Sequence, residues 1–378
     1  MIYFDNSAST LIKPKQVQKA MLDALSFFTA NPGRSGHREA IKTAMEIEKV
    51  RDKVSAHVNG DIAIFTGGCT HALNLGILGY VKSEHVVCTE NEHNSVLRPL
   101  QFLHDKYGVD FDVVKQTKKG SLSFDDIKPY LRPDTKLVIT NHISNVNGDV
   151  ADISDIGKKL KERKITYLVD GAQGGGHFKY DMKEMNIDML ALAPHKGFYS
   201  PQGVGCLVIN GDINLDPILF GGTGTNSLEL YQPLSLPERL ESGTLNTPNI
   251  IAFGAGIDFV EENFIEINEK MDDLTTFLHY EFSKLPVQIY TSTENTNGVF
   301  AFNIEGFNSS DLATILNDKY GICVRGGYHC APKKHEALGT IENGLVRVSF
   351  SYFNTLQEVE RLILAIKHIL IKNKNLKN

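Results

Sequence analysis

The chain has little with which to build a disulfide framework, a thiolate zinc site, a membrane span or a nucleic-acid surface. Its five cysteines, Cys69, Cys88, Cys206, Cys323 and Cys330, are odd in number and scattered, and no two have the C-x-x-C spacing. That pattern excludes a stapled secreted scaffold and leaves at most one cysteine with special chemistry. No window approaches 18 uninterrupted apolar residues, so no membrane-spanning helix is expected. The opening Met1-Ile-Tyr-Phe-Asp-Asn-Ser-Ala-Ser lacks the basic-then-apolar pattern of a secretory leader, and a cytoplasmic protein is expected. A formal charge of −6 over 378 residues gives no electrostatic reason to expect nucleic acid. Internal repeats and low-complexity linkers are missing as well. The mildly basic stretch from Lys372 to Asn378 reads as a frayed end rather than an anchor.

What is present is the composition of a globular protein. With 42% hydrophobic and 22% charged residues, the chain can bury a large core, and its length suggests two domains at about 150 residues each. Short β-branched runs at 62–66, 85–89, 136–141, 166–170, 188–192 and 204–209 alternate with helical patterns at 71–78, 96–107 and 153–163. This is the rhythm of a layered α/β sheet, whose ligand groups sit at strand C-terminal ends. Past Gly221-Gly-Thr-Gly-Thr-Asn226 the pattern changes. Long helices at 249–263 and 267–285 precede strands at 298–303, 322–325 and 345–349 and a final helix at 356–372, which implies a smaller α+β domain with a boundary near residue 245.

Lys196 stands between an apolar run and a glycine-rich loop, in Ala191-Leu-Ala-Pro-His-Lys-Gly-Phe-Tyr-Ser-Pro-Gln-Gly-Val-Gly205, a poor place for a surface charge. It reads as a Schiff-base lysine for pyridoxal 5'-phosphate, which needs desolvation or a cationic neighbour such as His195 to lose its proton. The ordinary alternative is a solvated loop lysine. Asp170 closes the apolar run Thr166-Tyr-Leu-Val-Asp and can keep a pyridinium nitrogen protonated, with Gln173 three residues on as a donor to the ring oxygen. It can equally be a strand-end turn aspartate. Phe65-Thr-Gly-Gly-Cys-Thr-His-Ala-Leu-Asn74 passes from strand through two glycines into a helix, a phosphate cradle to which Thr70 adds a hydroxyl. His93 and Asn145 also follow strands. The histidine is suited to stacking on a ring and moving protons, the asparagine to a ring or substrate contact, although each is by default a loop or turn residue.

Cys330, in Val324-Arg-Gly-Gly-Tyr-His-Cys-Ala-Pro332, leaves a strand through two glycines, which predicts a mobile, exposed loop. Cys88 and Cys206 sit in apolar strands and are expected to be inert. Cys330 is thus the candidate nucleophile, with His329 and Arg325 available to favour its thiolate. Arg347 alternates with apolar residues in Leu345-Val-Arg-Val-Ser and can grip a substrate carboxylate with its fork, or pair with a structural acid.

Together these stretches resemble the class V aminotransferase family of pyridoxal phosphate enzymes, and within it the cysteine desulfurases and selenocysteine lyases. The likeness runs from Tyr3-Phe-Asp-Asn-Ser-Ala-Ser-Thr10 to Val346-Arg-Val-Ser-Phe-Ser-Tyr-Phe-Asn-Thr355. Asn31-Pro-Gly-Arg-Ser-Gly-His37, Arg239-Leu-Glu-Ser-Gly-Thr-Leu-Asn246 and Arg325-Gly-Gly-Tyr-His-Cys330 resemble the branch with a short cysteine loop. The resemblance implies fold type I, like that of aspartate aminotransferase. A large domain (15–245) carries a mostly parallel seven-stranded sheet, and a smaller α+β domain takes in 246–378 with the N-terminal arm 1–14. It further implies Lys196 as the Schiff-base lysine, Asp170 and Gln173 as ring contacts, His93 as the stacking imidazole and Thr70 and His195 as phosphate ligands. Asn145 falls beside the ring, Arg347 on the substrate carboxylate and Cys330 on the sulfur. Thr244 would reach the phosphate of a neighbouring subunit, which implies a homodimer.

The implied activity turns L-cysteine into L-alanine, with the sulfur held on Cys330 as a persulfide for an acceptor protein. A selenocysteine lyase acting on L-selenocysteine is the nearest alternative. An aminotransferase or epimerase, or a non-catalytic scaffold, stands further off. Two positions depart from the family: Ala193 replaces a frequent serine three residues before the lysine, removing a phosphate hydrogen bond, and His71 replaces a frequent glutamate.

Overall fold

The computed structural model describes residues 1–33, 36–118, 120–225 and 228–377. Arg34 and Ser35 of the motif at 31–37, and Asn226 at the end of the glycine-rich segment, lie outside the described residues. A seven-stranded sheet organises the first two thirds of the chain, in the order Ile62–Thr66, Gly205–Ile209, Met189–Leu192, Thr166–Asp170, Thr135–Asn141, His85–Thr89 and Phe111–Val114. Only Gly205–Ile209 runs against its neighbours. A sheet covered on both faces needs near-continuous apolar strands, and His85-Val-Val-Cys-Thr and Met189-Leu-Ala-Leu are buried at every position. One face packs Val50, Val54, Phe253 and Ile257 from the helices Arg38–His57 and Thr247–Phe282. The other packs Ala72, Leu75, Val96 and Leu100 from Cys69–Leu78 and Asn94–Tyr107.

The parallel strands all end at one edge, so the loops after Thr66, Thr89, Asn141, Asp170 and Leu192 meet there. The antiparallel strand enters at the same edge, where Gly205 lies against the backbone of Gly68 so closely that a Cβ would collide with it. Glycine at 205 is thus a packing requirement of the turn into Cys69–Leu78.

A second core gathers Phe300, Phe302, Val346 and Val348 from the antiparallel sheet Gln288–Ile289, Val299–Asn303, Leu345–Ser349 and Arg325–Gly327. Helices Ser309–Tyr320 and Leu356–Lys377 and the arm residues Ile2 and Phe4 complete it. One expectation changes here. The segment 322–325 is not one strand: Ile322–Cys323 pairs in parallel with Ile2–Tyr3, while Arg325–Gly327 pairs with Leu345–Ser349. The helices expected at 249–263 and 267–285 are both present as the two arms of Thr247–Phe282, which meet at a kink at Asn263 (φ −118°, ψ 15°), whose side-chain amide donates back to the Phe259 carbonyl at 2.8 Å. Among the described residues no helix is long and apolar enough to cross a membrane.

Candidate active site

The loops at the sheet edge enclose a cavity of about 810 Å³, within the range of small-molecule sites. Lys196, Cys330, His93, Thr70, Asn145, Asp170, Gln173, His195 and Arg347 all line it. Lys196 follows Met189–Leu192 by a tight turn, its N–H donating to the Ala193 carbonyl at 3.0 Å. Burial lowers its pKa, with Arg347 and Arg325 pushing the same way against Asp170 and Cys69. His195 is not the cationic neighbour anticipated. Desolvation, with Lys196 and Lys13 nearby, holds its pKa down to about 4, so it is neutral near pH 7. Its Nδ1 is buried without a partner among the described residues. Its carbonyl is clasped by the N-terminal arm, accepting from the Thr10 N–H at 3.1 Å and the Ser9 hydroxyl at 3.3 Å.

Asp170 ends its strand between Asn141 and Ala191 and is 2% exposed. Burial raises its pKa, while the Ala172 N–H, Lys196 and Cys69 favour the carboxylate. The Cys69 thiol donates to Asp170 Oδ1 at 3.9 Å and the Ala172 N–H at 2.9 Å. Gln173 donates one amide hydrogen to the Ser7 carbonyl at 3.0 Å.

Gly67 and Gly68 lead into the helix Cys69–Leu78, which starts without a side-chain cap. Thr70 Oγ1 lies 2.8 Å from Ser95 Oγ, which lies 2.9 Å from His93 Nδ1. His93 caps Asn94–Tyr107, its Nδ1 accepting the Ser95 N–H at 3.1 Å. That bond assigns the proton of the neutral ring to Nε2. Neutrality is enforced by burial and then by Lys196, Arg325, Arg98 and Arg347, which push the pKa down to about 4.

Arg347 is 1% exposed. It donates to Asp5 Oδ1 at 2.6 Å and to the Asn145 carbonyl at 2.7 Å, and its Nε is buried without a partner among the described residues. The structural acid envisaged for it is therefore present, and donor capacity remains. Cys330 is half-buried, and its carbonyl accepts the Asn94 N–H at 2.7 Å. His329 does not supply the expected positive charge: it is 2% exposed, and burial beside Arg347, His335 and Arg325 drives its pKa well below normal. Arg325 is left as the cation of that segment that lines the cavity.

These features can be set beside known proteins. The model of the aminotransferase class-V family matches residues 2–362. The chain belongs to this family. A probable cysteine desulfurase of Methanothermobacter thermautotrophicus is 34% identical to it over 96% of this chain and 92% of the relative. One from Pyrococcus abyssi is 33% identical over 98% and 94%. Among solved structures, the apo cysteine desulfurase of Thermococcus onnurineus superposes with a TM-score of 0.88 at 32% identity, covering 97% of this chain and 94% of that one. The mostly parallel seven-stranded sheet agrees with that likeness.

In this class-V family member one sequence-named residue stays outside the cavity. Thr244 is exposed and lines an adjoining cleft of about 230 Å³ with Gly67, His71 and Gly203. Its loop is anchored by Glu241, whose carboxylate takes a bidentate bond from buried Arg51 at 2.6 and 2.9 Å. Sequence reasoning passed over Cys69, Ser95 and Asp5. Asp5 and Cys69 lie within stretches singled out on other grounds and Ser95 two residues past His93, and nothing local marks Cys69 as facing Asp170.

Proposed function

We propose that the chain is a cysteine desulfurase using pyridoxal 5'-phosphate: it takes sulfur from L-cysteine onto Cys330 and releases L-alanine. The observation that carries this reading is the convergence of Lys196, Asp170 and Cys330 on one cavity. The donor set fits the cofactor. Asp170 is a buried carboxylate that would take the ring nitrogen, and Thr70, the uncapped helix start and His195 Nδ1, buried without a partner among the described residues, would hold the phosphate. His93 supplies a flat neutral ring and Gln173 a spare amide hydrogen. When bound, the ring withdraws electrons from the substrate α-carbon.

The chain's own groups divide the remaining work. Arg347, with Nε unengaged, binds the substrate carboxylate. The Lys196 amine, its charge disfavoured by burial and two arginines, takes the α-proton. Cys330 Sγ, as thiolate, then bonds to the substrate sulfur while the carbon–sulfur bond breaks. The electron pair passes to the carbon fragment, and the sulfur stays as a persulfide. A protein thiol then takes it up in the cytoplasm.

A homodimer completes the site. Leu228 and Leu230 are 100% and 99% exposed, and Tyr231, Leu234 and Phe220 stand out with them. A patch of that kind on a globular chain calls for a covering partner. Sedimentation equilibrium is expected to give about twice 41.9 kDa; a single-chain mass at micromolar concentration would refute the dimer.

A product assay with L-cysteine, L-selenocysteine and L-cysteine sulfinate tests the function. Alanine from cysteine, with sulfide released only when reductant is added, is the expected result. Alanine from selenocysteine alone would reassign the substrate, and a transaminated product would remove the desulfurase reading.

A further inference from the structure

We infer that the buried Lys334–Asp149 ion pair is the latch that positions Cys330, which makes both members positioning residues of the sulfur-transfer step. The inference rests on the reading of Cys330 as the sulfur nucleophile. Lys334 Nζ lies 2.7 Å from Asp149 Oδ2, and the two side chains are 3% and 2% exposed. Replacing a buried pair of this kind by apolar side chains is often neutral or stabilising, so stability alone gives little reason for it. Its placement gives a better one.

Asp149 closes a turn whose other end is Ser144, the Ser144 N–H donating to the Asp149 carbonyl at 2.8 Å. The same turn carries Asn145, whose side-chain amide donates to the His329 carbonyl at 2.7 Å. One rigid turn therefore grips the cysteine segment on both sides, at His329 and at Lys334 in the first turn of the helix Pro332–Leu338. The Asn94 N–H adds a third tie at the Cys330 carbonyl.

What the ties hold is a conformation the chain does not favour. His329 and Cys330 both have positive φ, 50° and 57°, and consecutive non-glycine residues stay there only when the surroundings dictate it. Asp149 is fixed from further sides by Gln116 Nε2 at 3.3 Å and Asn295 Nδ2 at 3.4 Å, and Glu90 is a second acid facing Lys334. The sequence predicts a mobile, exposed cysteine loop. The structure instead has Cys330 half-buried and tied at the same turn whose Asn145 carbonyl accepts from Arg347.

The test uses the cofactor-loaded protein with Lys334→Met, and with Lys334→Met combined with Asp149→Asn so that no lone charge is left buried. Three readouts separate the steps: iodoacetamide labelling of Cys330, solvent-deuterium exchange at the α-carbon of L-alanine, and persulfide on Cys330 after L-cysteine. Freed from its latch, Cys330 is expected to label about 10-fold faster and to gain persulfide roughly 100-fold more slowly, with α-exchange within about twofold of the parent. Unchanged labelling and persulfide formation in the double variant would overturn the latch. So would a parallel loss of all three together with the cofactor absorbance, which would mark the pair as merely structural. Should the parent itself form no persulfide, the nucleophile reading fails, and the labelling rates still decide whether the pair restrains residue 330.

Discussion

Lys196→Ala is expected to lose the visible absorbance of bound cofactor after gel filtration, and with it α-proton exchange and alanine formation. The loss in turnover should be roughly 10⁵- to 10⁶-fold, the scale found when a member of a catalytic unit is removed. The reason lies in the environment. An ordinary lysine is protonated at neutral pH, but here burial, Arg347 and Arg325 disfavour the ammonium while Asp170 and Cys69 oppose them only in part. No other lysine lines the cavity, so none among the described residues can stand in. Lys196→Arg should fail equally, because a guanidinium does not give up its proton. An absorption band that survives removal of free cofactor in Lys196→Ala would place the imine elsewhere.

Cys330→Ala should divide the reaction in two. Cofactor absorbance and exchange of the α-proton are expected to persist within about twofold, while persulfide and alanine from L-cysteine fall by roughly 10³-fold or more, since the nucleophile itself is gone. The one other thiol in the cavity is Cys69, and it is a poor substitute. Desolvation and the Asp170 carboxylate raise its pKa well above normal, so it stays protonated. Cys88 and Cys206 are buried in strands, as their sequence context indicates. Mass spectrometry of tryptic peptides after L-cysteine decides the matter: persulfide on another cysteine of Cys330→Ala at the parental rate would transfer the role.

Much of this was legible from strand ends. A parallel sheet sends its ligand groups to the strand ends and the residues after them: Lys196, Asn145, His93 and Thr70 follow, and Asp170 closes, apolar runs that are strands in the structure. The edge strand Phe111–Val114 escaped because it is four residues long, only partly buried and carries Asp112. The charge states of His195 and His329 were misjudged because proximity in sequence says nothing of burial, and burial decides them. Ser95 and Asp5 act through partners that no local pattern specifies. The pair Asp149 and Lys334, 185 residues apart, exists only once the two halves of the chain have met.

The strip at residues 2–10 carries a consequence for how the enzyme comes into being. Ile2–Tyr3 must wait for Ile322–Cys323, and Asn6 for the Ser349 carbonyl 343 positions later. A segment made well before the partners it needs is thus among the last to find its place, while it braces the carbonyl of His195 and the guanidinium of Arg347. Closing so long a span makes maturation slow. A nascent chain halted anywhere before residue 349 is a protein without a finished catalytic centre.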